Sequence, residues 1–103
     1  METLIRVDSV STRAAYLSEA VVITERAWHA LVLCPCRANK YSGISSEMLL
    51  RALLLRVESA IRNDDDSCRM TCVSDSGVIQ YNVTVRHLGD QSQDDETIII
   101  DFN

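Results

Sequence analysis

The chain begins and ends with segments in which polar and apolar residues alternate. Residues 3–7 alternate weakly and predict a short strand. Residues 68–73 and 79–86 alternate more regularly, and residues 75–77 (Asp-Ser-Gly) between them are typical of a hairpin turn. Residues 97–102 alternate again and predict a last strand. The C-terminal part of the chain is therefore predicted to form three strands of an antiparallel sheet.

A helical period fits residues 12–33 better than strict alternation does. At 100° per residue the apolar side chains share one broad face, whereas at 180° per residue charged and apolar side chains mix on both faces. Residues 21–24 are Val-Val-Ile-Thr, and such β-branched side chains lose freedom in a helix, so a hairpin through this stretch is the alternative. Pro35 disfavours helical geometry at Cys34, where we expect the helix to end.

Residues 44–62 predict a second helix. Ser45 suits the N-cap, with Ile44 and Leu49 at the positions of a hydrophobic staple. The apolar arc of this helix is so wide that more than one side must be covered, either by the rest of the fold or by another subunit. Arg56 lies within this arc and is expected to extend to solvent along a packed stem, although a buried ion pair or a partner contact is the alternative. Arg56 is therefore a candidate interface residue.

These elements occur in the order β-α-α-β-β-β, which predicts a single α+β domain over residues 1–103. Two helices are expected to pack on one face of an antiparallel sheet. The length of 103 residues and the 47% hydrophobic content suit one globular domain, and the longest apolar runs are too short to span a membrane. The N-terminal Met-Glu-Thr lacks the basic and apolar regions of a secretion signal, so we expect a cytoplasmic location.

The cysteines and histidines form no recognisable catalytic or metal-binding motif. Cys34 and Cys36 are spaced too closely for a typical zinc pair. Cys68 and Cys72 lie on a predicted strand, where positions four apart are about 13 Å from each other, so a shared zinc ion requires the strand prediction to be wrong. Neither histidine has a motif around it, and three scattered glycines make no phosphate-binding loop. We expect no cofactor, no metal and no enzymatic activity.

Charge divides the chain into two unlike parts. Residues 1–62 carry eight basic and six acidic side chains, whereas residues 63–103 carry two basic and nine acidic ones. A negatively charged surface attracts a basic partner and repels phosphates. The alternative is that the acidic side chains only keep the protein soluble. The acidic side chains expected to bind a partner are Asp64, Asp65, Asp66, Asp75, Asp90, Asp94, Asp95 and Glu96.

The sequence therefore predicts a small, acidic, non-enzymatic protein-binding domain with no direct contact to nucleic acid and none to a membrane. One form of this hypothesis is an inhibitor or immunity-type protein, or an anti-defence protein of a phage or mobile element. Such a protein would present carboxylates to a nucleic-acid-handling enzyme where phosphates otherwise bind. The alternative is a structural or oligomeric subunit that assembles through the apolar face of helix 44–62.

Overall fold

Three helices pack against one face of a five-stranded mixed sheet, within the part of the chain that the computed structural model describes. The described residues are 3–17, 19–38, 43, 45–74, 77–88 and 97–103. The sheet has the order β1-β2-β5-β4-β3, in which only β2 and β5 run parallel. The predicted α+β class is thus confirmed. The strands are β1 (Leu4–Arg6), β2 (Ala20–Thr24), β3 (Ser67–Ser74), β4 (Gly77–Leu88) and β5 (Thr97–Phe102).

Residues 20–24 differ most from the sequence prediction, because they form β2 and not part of a helix. In β2, Ile23 lies opposite Ile5 of β1 and Ile100 of β5, and its side chain is fully buried. β-Branched residues pack well on a pleated surface covered by neighbouring strands, which explains the outcome. The predicted helix 12–33 is therefore wrong as one element. It divides into helix α1 (Ser9–Ala14), β2 and the first part of the next helix.

Helix α2 continues through Pro35, which corrects the prediction that it ends at Cys34. It consists of an α-helical turn (Glu25–Trp28), a π-helical turn (His29–Leu33) and a second α-helical segment (Cys34–Ala38). In a regular α-helix a proline lacks one hydrogen bond and its ring collides with the carbonyl group four residues earlier. The π-helical turn widens the helix at this point, where the N–H of Cys34 donates to the carbonyl of His29.

Helix α3 (Ser46–Arg62) confirms the second predicted helix. The Oγ of Ser45 accepts a hydrogen bond from the N–H of Met48 at 3.2 Å, as an N-cap does. Near the other end, Arg62 and Glu58 form an i,i+4 ion pair at 3.7 Å. The hydrophobic staple stays a prediction, since Ile44 lies outside the described residues.

Only one side of the wide apolar arc of α3 is covered. The covered side faces the core and consists of Leu50, Leu53, Leu54, Val57 and Ala60. On the opposite side Met48 is 58% exposed, Leu55 is 41% exposed and Ala52 is exposed as well. We call Met48, Ala52 and Leu55 the outer face of α3. The other helices and the sheet thus leave this part of the arc open within the described chain.

The two faces of the sheet differ in character because side chains alternate along each strand. The face under the helices is apolar and supplies the core residues Val21, Ile23, Met70, Cys72, Val83, Val85, Ile98 and Ile100. The other face is mainly polar and carries Arg6, Arg69, Thr71, Gln80, Asn82 and Arg86, all exposed. The alternation of residues 79–86 fits this arrangement in part: Val83 and Val85 are buried and Tyr81 packs against the core, whereas Ile79 is 37% exposed.

Substitution of neighbouring leucines tests the orientation of α3. Leu54 is fully buried and Leu55 is 41% exposed, although the two residues are adjacent. We expect Leu54→Ala to lower the free energy of unfolding by about 2–5 kcal/mol through lost burial and cavity formation. Leu55→Ala is the matched control and should cost less than about 1 kcal/mol. Urea denaturation of both variants measures the difference, and equal losses would contradict this orientation.

Candidate functional site

Part of the predicted acidic surface lies at the connection between α3 and β3. Asp64, Asp65 and Asp66 follow one another there, and we call these three residues the acidic corner. The other predicted partner-binding residues lie outside the described residues, namely Asp75, Asp90, Asp94, Asp95 and Glu96. Their part in a common surface stays a prediction.

The acidic corner is held by the end of α3. The N–H of Asp65 donates to the carbonyl of Ala60 at 2.8 Å, and the N–H of Asp64 donates to the carbonyl of Ile61 at 3.1 Å. This is the hydrogen-bond pattern of a Schellman motif, with Asp64 in the left-handed region at a φ of 57°. Aspartate enters this region more readily than most residues do. The carbonyl of Asp66 then accepts from the N–H of Val85 at 2.8 Å, which joins the corner to β4.

The three side chains of the acidic corner are exposed to solvent. No hydrogen bond or ion pair to their carboxylates is found among the residues that the structure describes. Three hydrogen bonds hold their backbone, while their charges have no partner among the described residues. The corner can therefore present three negative charges to another molecule without first breaking an internal contact.

A shallow groove lies beside the corner on the polar face of the sheet. Its volume is about 680 Å³, and Asp66 and Ser67 line one part of it. Thr84 and Arg86 of β4 line it as well, together with Asp101 of β5. The groove combines both signs of charge on an open surface. It therefore offers polar contacts to a partner surface.

The carboxylate of Asp101 is the best-bonded charge in the described chain. It is only 8% exposed and accepts from the Oγ1 of Thr24 at 2.8 Å. The Nε and Nη2 groups of Arg26 donate to its two oxygens, both at 2.9 Å. Such a bidentate pair fixes the guanidinium in the plane of the carboxylate. Asp101 is one of the nine acidic residues in 63–103, and its charge is compensated within the fold.

Arg26 also binds the end of β5 by two further contacts. Its Nη2 group donates to the carbonyl of Phe102 at 3.0 Å, and its guanidinium carbon lies 5.0 Å from the centre of the Phe102 ring. That ring packs edge to face on Tyr81, with 5.1 Å between ring centres. Thr24 and Arg26 lie inside the predicted helix 12–33 and are 77 and 75 positions from Asp101, so sequence reasoning missed this cluster.

Hydrogen bonding decides the ionisation of Asp101. Burial by itself would raise the pKa of this carboxyl. The hydrogen bonds from Arg26 and Thr24 outweigh burial, so the pKa of Asp101 lies below its ordinary value. A carboxylate with a lowered pKa stabilises the fold above the pKa of the unfolded chain, about 3.9, and this contribution is lost as the pH falls through the folded-state value.

Arg56 reaches solvent, as the sequence predicted for a long side chain in an apolar arc. It is exposed, and its Nη1 group donates to the carbonyl of Arg69 on β3 at 3.4 Å. Its positive charge slightly favours the thiolate of Cys68, but burial dominates and raises the pKa of that thiol. A role for Arg56 in an interface stays a prediction.

The four cysteines are free thiols in different surroundings. Cys34 and Cys36 lie within α2, because the helix continues beyond the end that was predicted at Cys34. Cys68 and Cys72 lie on strand β3, as predicted. Residues four apart on a strand are too distant from each other to bind one zinc ion. Burial raises the pKa of the Cys72 thiol, which disfavours its reactive form. Within the described ranges, no group of three or more His, Cys, Asp or Glu side chains is arranged to hold a metal ion.

Comparison with protein-family profiles, with characterised proteins and with solved structures finds no match to this chain. None of the described helices is both long enough and apolar enough to cross a membrane. The function must therefore be argued from the surfaces described above.

Replacement of Asp101 by asparagine tests the cluster around it. We expect Asp101→Asn to lower the free energy of unfolding by about 1–2 kcal/mol at pH 7, at the low end for charged hydrogen bonds because the Arg26 side chain is 57% exposed. The loss should begin to shrink as the pH falls below about 4, where the carboxyl of the unfolded chain takes up a proton, and should disappear as the pH falls through the lower folded-state pKa. Urea denaturation from pH 3 to pH 7 measures both effects.

Asp65→Asn is the matched control, because it removes the same charge from an exposed position whose side chain has no partner among the described residues. Its stability should follow the wild-type curve closely. A variant at Asp101 that loses nothing at pH 7 would contradict the structural role of the cluster.

Proposed function

We propose that this chain is a small, non-enzymatic protein-binding domain whose acidic corner contacts a basic surface of a partner. The proposal rests on Asp64, Asp65 and Asp66, whose backbone is held in place while their carboxylates have no partner among the described residues. Their backbone is hydrogen-bonded to α3 and β4, and their side chains are exposed. Preorganised charges need little ordering on binding, and a negative surface accelerates encounter with a positive one.

Because the acidic corner is negatively charged, we expect a partner with a positively charged surface. Residues 63–103 carry nine acidic and only two basic side chains, so their field repels phosphates and attracts lysine and arginine. Enzymes that handle nucleic acids carry such basic surfaces. An inhibitor, immunity-type or anti-defence protein that occupies the phosphate-binding surface of such an enzyme is the form of the proposal that we favour.

Binding of a basic probe tests the acidic corner. We expect a fluorescently labelled decalysine peptide to bind the wild-type chain, and its dissociation constant to rise by about tenfold or more between about 0.05 M and about 0.5 M salt, since exposed charges are screened. The combined variant D64N/D65N/D66N should bind much more weakly at low salt. Fluorescence anisotropy measures all three affinities.

The matched control is the combined variant E25Q/E47Q/E58Q, which removes the same number of negative charges from the helices. It should weaken binding of the decalysine peptide less than D64N/D65N/D66N does. Equal weakening would mean that only net charge matters and would contradict a specific acidic surface. Binding that does not respond to salt would contradict the proposal as well.

A second candidate function is self-assembly through the outer face of α3. Met48, Ala52 and Leu55 are spaced four and three residues apart, as in the seam of paired helices, and all three are exposed. In an antiparallel pair, Met48 of one copy would meet Leu55 of the other. Arg56 lies one turn after Ala52 and borders this face, where the interface role expected from the sequence would place it.

The oligomeric state tests this second candidate. We expect the wild-type chain to form a weak, concentration-dependent dimer, because the apolar face is small for a stable interface. Leu55→Glu should shift the equilibrium to monomer, because a charge in the apolar face would have to lose its hydration in the dimer. Sedimentation velocity at several concentrations measures this, with Val78→Glu as the control at an exposed apolar position on β4. A strict monomer at all concentrations would end this candidate.

A further inference from the structure

A concave site lies at the end of α1, away from the acidic corner. Its volume is about 550 Å³, which is within the usual range for small-molecule sites. The residues that matter for its chemistry are Arg6 of β1, Arg13 of α1, Tyr16, and Glu19 before β2. We call these four residues the basic pocket. None of them has a part in the function proposed above, so the two proposals stand or fall separately.

Tyr16 has an unusual backbone conformation for its residue type. Its φ is 63°, and its N–H donates to the carbonyl of Arg13 at 3.0 Å, while the N–H of Leu17 donates to the carbonyl of Thr12 at 2.9 Å. These bonds form a Schellman motif with Tyr16 at the left-handed position, where glycine is usual and a bulky residue is a true outlier. The side chain is 82% exposed, so packing in the core does not compensate for this conformation. Strain of this kind is found where a side chain serves a ligand.

The two arginines give the basic pocket its positive charge. Arg6 and Arg13 are both exposed, and neither guanidinium has a hydrogen-bond or ion-pair partner within the described part of the chain. A guanidinium matches the oxygens of a phosphate in a planar, bidentate way. An aromatic ring beside them offers a face for stacking, the combination that binds nucleotides in many proteins. Glu19 adds a half-buried carboxylate, which repels a bare anion but accepts hydrogen bonds from the N–H groups of a base.

The geometry points to a binding site for a mononucleotide, with its phosphate on Arg6 and Arg13 and its base against the ring of Tyr16. The size of the pocket suits one nucleotide. A long nucleic acid is disfavoured, because the whole chain has a net charge of −5 and repels additional phosphates. An acidic peptide would satisfy the arginines but would leave the exposed ring and the acceptor of Glu19 without a role.

Calorimetric titration with 5′-AMP tests this proposal. We expect binding with a dissociation constant on the order of 1 mM or tighter. Tyr16→Asn should weaken it by about 5- to 150-fold, since stacking on an aromatic ring contributes about 1–3 kcal/mol per base. Arg6→Ala should weaken it by about tenfold. Because asparagine tolerates a positive φ, the Tm of Tyr16→Asn should be unchanged or higher, which separates a lost ligand contact from a lost fold.

Arg69→Ala is the matched control, because Arg69 is an exposed arginine on β3, at the other edge of the sheet from β1. It should leave binding of 5′-AMP unchanged. Inorganic phosphate and adenosine should each bind more weakly than 5′-AMP. The proposal is overturned if 5′-AMP does not bind, if inorganic phosphate binds as tightly, if a hexaglutamate peptide binds more tightly, or if Tyr16→Asn retains wild-type affinity.

Discussion

The pairing of Arg26 with Asp101 joins two parts of the fold that lie 75 positions apart in sequence. Asp101 lies on the last strand, while Thr24 ends β2 and Arg26 begins α2. The hydroxyl of Thr24 accepts the N–H of Ala27 at 3.3 Å and donates to Asp101, so one side chain caps the helix and binds the strand. An unpaired carboxylate at this depth would be costly, and the bidentate arginine removes that cost. The start of α2 and the parallel alignment of β2 with β5 both depend on this cluster.

The same strand pairing explains how residues 12–33 divide. Local periodicity favours a helix there, but Val21 and Ile23 are covered from both sides once β1 and β5 flank them. The strand thus gains its stability from residues distant in sequence, which no local pattern contains. The helix then starts only after Thr24, where a side-chain cap is available, and it passes Pro35 by widening to a π-helical turn.

The acidic corner, the outer face of α3 and the basic pocket differ in how far the sequence reveals them. The acidic corner follows from composition, because three adjacent aspartates after a helix must lie in a connection. The outer face of α3 follows from periodicity, since its apolar arc was too wide for one packing face. The basic pocket has no sequence motif, because Arg6, Arg13 and Tyr16 meet only through the packing of α1 beside the sheet edge. The charge map likewise changes in three dimensions, since Asp101 is neutralised by Arg26.

The sequence by itself determined the α+β class, helix α3 with its Ser45 cap, the antiparallel pairing of β3 with β4 and the burial of Val83 and Val85 on β4. These features depend on contacts within a few residues or on regular alternation, so a local pattern contains the information. The tertiary structure alone decided that β2 is a strand, that β2 and β5 run parallel, and that Asp101 is buried and paired with Arg26. Each of these depends on residues tens of positions apart, where the free energy of pairing and burial outweighs local preference. The strained position of Tyr16 belongs to the same group, because the position where α1 ends depends on the strands packed beside it.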